Sequence, residues 1–203
     1  MQLRIDFVVL ILILASPMAL ASSLDEIKKG EELANSRCNS CHDMTPGESP
    51  LLYGQSSTYL AESLRMYSST EKEDTSTFKI MNSLASSLSE PEIVAISRYY
   101  AQEDPCKIVA VISPGDGIVA DGQAKAQQCR ICHKKKLASS TAKVPRIRGQ
   151  NTLYLLHSLK EHRDSHNSKG MMDGELDSFN DQDLADIAAY LNRYNNCVSN
   201  AGK

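Results

Sequence analysis

The chain carries the pentapeptide C-x-x-C-H twice, as Cys38-Asn39-Ser40-Cys41-His42 and as Cys129-Arg130-Ile131-Cys132-His133. No other feature limits its fold as strongly. Two thiols one helical turn apart can add to the two vinyl groups of one porphyrin, and the adjoining His then lies under the iron. Each motif therefore reads as an attachment site for a covalent haem c. Cys38 and Cys41, or Cys129 and Cys132, form the thioethers, and His42 or His133 is the proximal iron ligand. Two C-x-x-C pairs also suit a zinc site, one pair suits a thioredoxin-like redox centre, and six cysteines admit plain disulfides. None of these alternatives needs a His directly after both pairs. The redox centre also expects a βαβ pattern, and none is visible.

The motifs belong to a duplication. The second begins 91 residues after the first, and the same offset carries Met81 onto Met172, Tyr99 onto Tyr190 and Cys106 onto Cys197. Between these anchors the offset drifts to 95, aligning Pro50, Gly54 and Gln55 with Pro145, Gly149 and Gln150, and Tyr59-Leu60 with Tyr154-Leu155. The second repeat thus gains four residues after its His and loses four before its Met. Internal self-similarity of this kind marks a repeated structural unit. The expected division is a first domain at 22–105, an extended linker at 106–120 with a turn at Pro114-Gly115, and a second domain at 121–203.

Both repeats have the same helical outline. Residues 25–36 and 121–128 lead into the two motifs. Ser57-Thr58 and Asn151-Thr152 offer capping side chains before the Tyr-Leu pairs. Ser89, with Pro91 in the first turn, and Asn180 open closing helices that place Ile or Leu and Tyr on one face. No strand-rich segment is evident, so the expected fold class is all-α. Trp is absent and aromatics make up 5%, which leaves the core to Leu, Ile, Val, Ala and Tyr.

The first twenty-one residues read differently. Arg4 is followed by the apolar run Phe7–Ala15 and then by Ala19-Leu20-Ala21, an A-x-A site. That order describes a secretory signal peptide spanning 1–21, cleaved after Ala21. An uncleaved anchor is the rival, but a spanning helix needs roughly 20 apolar residues. The expected location is the periplasm, where disulfides persist.

These motifs resemble a known family. The repeats are similar to class I cytochrome c domains, and their tandem arrangement resembles the dihaem cytochrome c-four family of bacteria. The shared pattern is C-x-x-C-H, then P-x-L-x-G-Q, then Y-L, then a Met before a helix. Ile147 replaces the usual Leu, Asp43 and Lys134 stand where Gly often follows the haem His, and the pair Cys106 and Cys197 is outside the family pattern. The resemblance implies two domains related by a pseudo-twofold axis and two covalently attached haem c groups. It implies Met81 and Met172 as the ligands opposite His42 and His133, and the carbonyls of Pro50 and Pro145 as acceptors for the His ring N–H. Among rival ligands, Met44 is too close to the motif and Met66 reads as core, while Met171 breaks the offset. His157, His162 and His166 read as a solvated helix surface. Cys106 and Cys197 occupy equivalent positions and can meet only near the axis. A disulfide between them is one reading; free thiols and an intermolecular bridge are the others.

The net charge of −3 argues against a nucleic-acid binder. It divides unevenly, −7 over residues 22–105 and +4 over 106–203. The sharper reading of that division is that each half docks a different partner. The reading that fits all of this is an electron carrier and not an enzyme. Its donor would be a membrane quinol-oxidising complex or a dehydrogenase, and its acceptor a terminal oxidase or reductase. Peripheral contact with a membrane is compatible. An alternative is the haem subunit of a periplasmic dehydrogenase such as flavocytochrome c sulfide dehydrogenase. A dihaem peroxidase-like enzyme would need an open iron site, which Met81 and Met172 argue against.

Overall fold

A computed structural model describes residues 16–44, 47–69, 76–108, 117–133, 143–164, 172 and 174–193. Among them the chain forms nine helices and no strand. They are α1 (Ser16–Arg37), α2 (Asn39–His42), α3 (Ser57–Ser69), α4 (Ser76–Ser86) and α5 (Glu90–Gln102) in the first half. The second half holds α6 (Val119–Lys125), α7 (Cys129–Cys132), α8 (Thr152–Asp164) and α9 (Asp181–Arg193). The all-α expectation holds. The cleavage position expected after Ala21 falls within α1, whereas the apolar run at 7–15 lies outside the described residues, as do Lys134–Lys136, Met171, His166 and Cys197. No helix among the described residues is long and apolar enough to cross a membrane.

Two cores form, one per repeat, and they use equivalent positions. The first gathers Leu33, Ala34, Tyr53, Leu60, Ile96, Tyr99 and Tyr100. The second gathers Ala126, Leu155, Leu176, Leu184, Ile187, Ala188, Tyr190 and Leu191. Ile93, Ile96 and Tyr100 lie on one stripe of α5, and Leu184, Ile187, Ala188 and Leu191 do so on α9. Burial of these stripes is the main source of their stability.

In each half the opening helix packs on the closing one, α1 on α5 and α6 on α9. The crossing is close because glycine makes it. A Cβ on Gly30 would overlap the Ala95 carbonyl, and a Cβ on Gly122 the Asp186 carbonyl. The closing helices start with matched caps. Ser89 N–H donates to Glu92 Oε2 at 2.9 Å. Asn180 N–H donates to Asp183 Oδ2 at 2.9 Å, and Asp183 N–H to Asn180 Oδ1 at 3.0 Å.

The sequence-based outline needs five corrections. Helix α4 has no counterpart in it. The second opening helix runs over Val119–Lys125 and not 121–128, because the chain turns at Ala126 before the motif. The cap of α3 is Ser56, whose Oγ accepts the Tyr59 N–H at 3.4 Å; Ser57 is the first helical residue. Asn151 does not cap α8 with its side chain, which instead reaches the other half, as described below. Met66, expected in the core, is 50% exposed.

Candidate functional site

Each motif is wound as a single helical turn that follows its opening helix. In the first, His42 N–H donates to Cys38 O at 3.1 Å, bringing the imidazole back beside the thiols. In the second, His133 N–H donates to Cys129 O at 2.9 Å. Cys38 and Cys129 are half-buried, Cys41 and Cys132 are exposed, and all four thiols are free. Burial pushes the Cys38 and Cys129 thiols above their ordinary range. The two pairs are not closed as disulfides. Among the described residues no three His, Cys, Asp or Glu side chains converge as a metal shell. That geometry speaks against plain disulfides within the motifs.

The imidazoles are held alike. His42, 8% exposed, directs Nδ1 at the Pro50 carbonyl at 2.7 Å. His133 directs Nδ1 at the Pro145 carbonyl at 2.8 Å. A carbonyl only accepts, so Nδ1 carries the proton in both rings and Nε2 keeps its lone pair. Burial lowers both histidines below the usual value, so both are neutral near pH 7. The charge of a protonated His162 would oppose protonation of His133 further. A neutral imidazole with one nitrogen anchored to a carbonyl is prepared as a metal ligand.

Turns after the prolines bring those carbonyls into place. Gly54 and Gly149 have φ of +66° and +69°, a region that favours glycine. Gly54 N–H bonds Tyr100 O at 2.8 Å and Gly149 N–H bonds Leu191 O at 2.9 Å, so each turn is tied to its closing helix. Tyrosines pin the first motif further: Tyr53 OH donates to Asp43 Oδ2 at 3.1 Å and Tyr100 OH to Asn39 Oδ1 at 2.6 Å. In the second repeat these two tyrosines are replaced by Arg148 and Leu191, and Gln128 Nε2 reaches Glu175 O at 3.2 Å.

The methionines sit differently. Met81 is half-buried within α4. Met172 is half-buried in a turn and packs on the second core. Met44 is exposed. His157 is exposed on α8, 3.6 Å from Glu161, and His162 is exposed as well. Cys106 is disulfide-bonded.

The two halves meet through their proline–glycine–glutamine turns, a role the sequence reading missed. Gln55 Oε1 accepts the Arg146 N–H at 2.7 Å while its Nε2 donates to Arg146 O at 3.1 Å. Gln150 repeats this on Leu51, at 2.6 Å to its N–H and 2.9 Å to its carbonyl. Asn151 Nδ2 adds bonds to Met44 O at 3.1 Å and Ser49 O at 2.8 Å, and Lys143 pairs with Glu62 at 2.8 Å. Arg146 donates to Tyr53 O at 3.2 Å, and burial pulls its guanidinium down to about 10. The one available signal was the paired Gly-Gln at an offset of 95.

The donor set fits a covalent haem in each half: two unpaired thiols and a neutral imidazole with a free Nε2. Comparison with known proteins points the same way. No family profile matches the chain. Cytochrome c4 of Pseudomonas aeruginosa is 42% identical over 75 residues, 37% of each protein. That alignment and the one with cytochrome c4 of Azotobacter vinelandii span only 37% and 40% of those relatives. Cytochrome c4 of Thiocapsa roseopersicina is 26% identical over 188 residues, 85% of this chain and 95% of that one. Cytochrome c-554(548) of Halomonas halodenitrificans is 34% identical over 77 residues, covering 36% of this chain and 93% of its own length. Among solved structures, cytochrome c4 of Acidithiobacillus ferrooxidans shares the fold with a TM-score of 0.64 at 24% identity, covering 77% of this chain and 98% of that one. A thiosulfate dehydrogenase from Marichromatium purpuratum superposes with a TM-score of 0.69 at 23% identity, over 82% of this chain and 40% of that one. With the repeated motif, the paired helical cores and these relatives in view, the chain belongs to the c-type cytochromes and is similar along most of its length to cytochrome c4.

Proposed function

We propose that the protein is a periplasmic electron carrier holding two haem c groups. Cys38 and Cys41 attach one haem and Cys129 and Cys132 the other. His42 with Met81, and His133 with Met172, ligate the two irons. The observation that carries this reading is the matched pair of neutral imidazoles, each with Nδ1 fixed on a proline carbonyl and Nε2 free beside two unpaired thiols. When bound, haem iron supplies a one-electron Fe(III)/Fe(II) couple, and a Met sulfur opposite His raises its potential. The chain's own part is to hold the imidazole orientation and keep its ligating nitrogen unprotonated. Saturated ligation leaves no open metal position for substrate, so the protein carries electrons and does not itself transform a substrate. The order of Arg4, the apolar run and Ala19-Leu20-Ala21 supports export.

The deciding experiment is the denatured intact mass of protein secreted from a host with c-type haem maturation. The expected mass is that of the chain from Ser22 onward plus two haems. A haem-free mass from a host that loads a control cytochrome rejects the reading. A second reading, the haem subunit of a dehydrogenase, draws on the superposition with part of a longer thiosulfate dehydrogenase chain. Co-purification with a flavoprotein or other catalytic chain from native membranes and periplasm favours it over a free carrier.

A further inference from the structure

The peptide units behind the two proximal histidines are each gripped from the opposite half. The unit joining Pro50 and Leu51 accepts His42 Nδ1–H on its carbonyl at 2.7 Å and gives its N–H to Gln150 Oε1 at 2.6 Å. The unit joining Pro145 and Arg146 accepts His133 Nδ1–H at 2.8 Å and gives its N–H to Gln55 Oε1 at 2.7 Å. Each glutamine is buried, Gln55 at 6% and Gln150 at 3% exposure. Each also takes the next N–H of its own chain, Ser56 at 3.0 Å or Asn151 at 2.8 Å, which fixes the amide before it crosses the interface.

A peptide that donates through its N–H becomes a stronger acceptor at its carbonyl, and the effect is largest where water is excluded. A stronger acceptor draws the imidazole Nδ1 proton and makes Nε2 a more basic ligand, which favours the ferric state. The geometry points to Gln150 as the positioning residue for His42 and Gln55 as the positioning residue for His133, so that each half sets the ligand field of the other. The arrangement is unequal. Asn192 Nδ2 donates to Gln150 O at 2.8 Å and ties that grip to α9, whereas the equivalent first-repeat residue is Ala101. The first haem's histidine is therefore the more firmly held. This inference rests on His42 and His133 being iron ligands.

The test uses the full haem-loaded protein with ¹⁵N-labelled histidine, reduced, with each ring N–H assigned through its contacts to Pro50 or Pro145. Gln150→Leu is expected to speed exchange of the His42 Nδ1–H by roughly tenfold while leaving His133 unchanged. It is also expected to raise one of the two reduction potentials. Gln55→Leu mirrors this, acting on His133 and on the other potential. Gln150→Glu, which keeps an oxygen for the Leu51 N–H, restores slow exchange at His42. Variants that act on the histidine of their own half, on both equally, or on neither overturn the inference. A merely structural role loosens both histidines together. If the unsubstituted protein shows no protected haem-shifted His N–H, the ligation reading itself fails, an outcome distinct from the others.

Discussion

The second repeat hangs on one buried carboxylate, and its removal has a calculable cost. Asp186 on α9 lies under α6 with almost no exposure. Its Oδ1 accepts the Ile118 N–H at 2.7 Å and Gln182 Nε2 at 2.9 Å, and its Oδ2 meets the Lys125 ammonium. Burial works to raise the Asp186 carboxyl, but these donors together hold it below the ordinary carboxylate range. In Asp186→Asn the amide oxygen can serve Ile118 and Gln182, leaving an NH₂ against Lys125. One charge-assisted bond is lost, about 2 kcal/mol, with part of the ammonium's need met by Asp183 Oδ1 at 2.7 Å. Asp183→Asn removes the more exposed partner and keeps an acceptor for Asn180 N–H, so it costs clearly less than Asp186→Asn.

The pH dependence has a definite sign. A carboxyl whose folded pKa is depressed contributes stability above its unfolded value, near 4, and that contribution is lost as pH falls through the folded value. The gap between the unsubstituted protein and Asp186→Asn should be open at pH 7 and close below about pH 4. Denaturant unfolding of the haem-loaded protein, followed by far-UV circular dichroism at pH 7 and pH 3, measures the gap. Hydrogen exchange of α6 and α9 amides assigns it to the second half. Equal stability at pH 7, or an equal penalty from Asp183→Asn, refutes the reasoning.

Four other outcomes follow from the geometry. Gly54→Ala and Gly149→Ala each force an L residue to φ near +66° or +69°, at about 1–2 kcal/mol apiece. Gly54→Ala adds a clash to that strain, since its Cβ would sit 2.6 Å from the Pro105 ring, and a thermal melt unchanged by this substitution would contradict the reasoning. Met81→Ala and Met172→Ala should each lower one haem's reduction potential, and a potential left unmoved removes that Met as a ligand. Peptide mapping without reduction should join the peptides of Cys106 and Cys197, whereas alkylation of both thiols sinks that pairing. Salt should slow electron exchange unequally for partners that meet the −7 half and the +4 half, and identical salt slopes count against separate docking faces.

The elements legible in the sequence were those with local signatures. The pentapeptides, the caps at Ser89 and Asn180 and the stripes of α5 and α9 depend on neighbours within a few residues, and the structure has them. What was hidden depends on the other half of the chain. Asn151 looks like a helix cap, as Asn before a helix does, but its amide is spent on Met44 and Ser49 across the interface. Gln55 and Gln150 stand out in the sequence only as a repeated pair, and their role shows only once the opposite half's backbone is placed against them. Helix α4 carries Ile80 and Leu84 at helical spacing, but both are exposed, so its apolar spacing does not mark a core face. Met66 was assigned to the core on residue type, yet it falls on the outer side of α3, where its apolar character decides nothing.

The two repeats have diverged in length at the place where the site is built, and the comparison separates what the fold needs from what it tolerates. Pro50, which accepts the His42 N–H, stands eight positions after it, and Pro145 stands twelve positions after His133. The contact is the same, 2.7 against 2.8 Å. The second half thus keeps the contact with four more residues between its His and its Pro, consistent with the small entropic cost of a longer connection. The interface cannot be relaxed in this way. Gln55 and Gln150 must each reach the residue directly after the other half's proline, and the 95 offset holds without a break from Pro145 to Gln150. A spacing that varies before the proline and is fixed after it is what a histidine anchor shared with the opposite half requires. An insertion of one residue between Pro145 and Gly149 should consequently disturb the His42 site as well as that of His133, whereas an insertion between His133 and Lys143 should disturb neither.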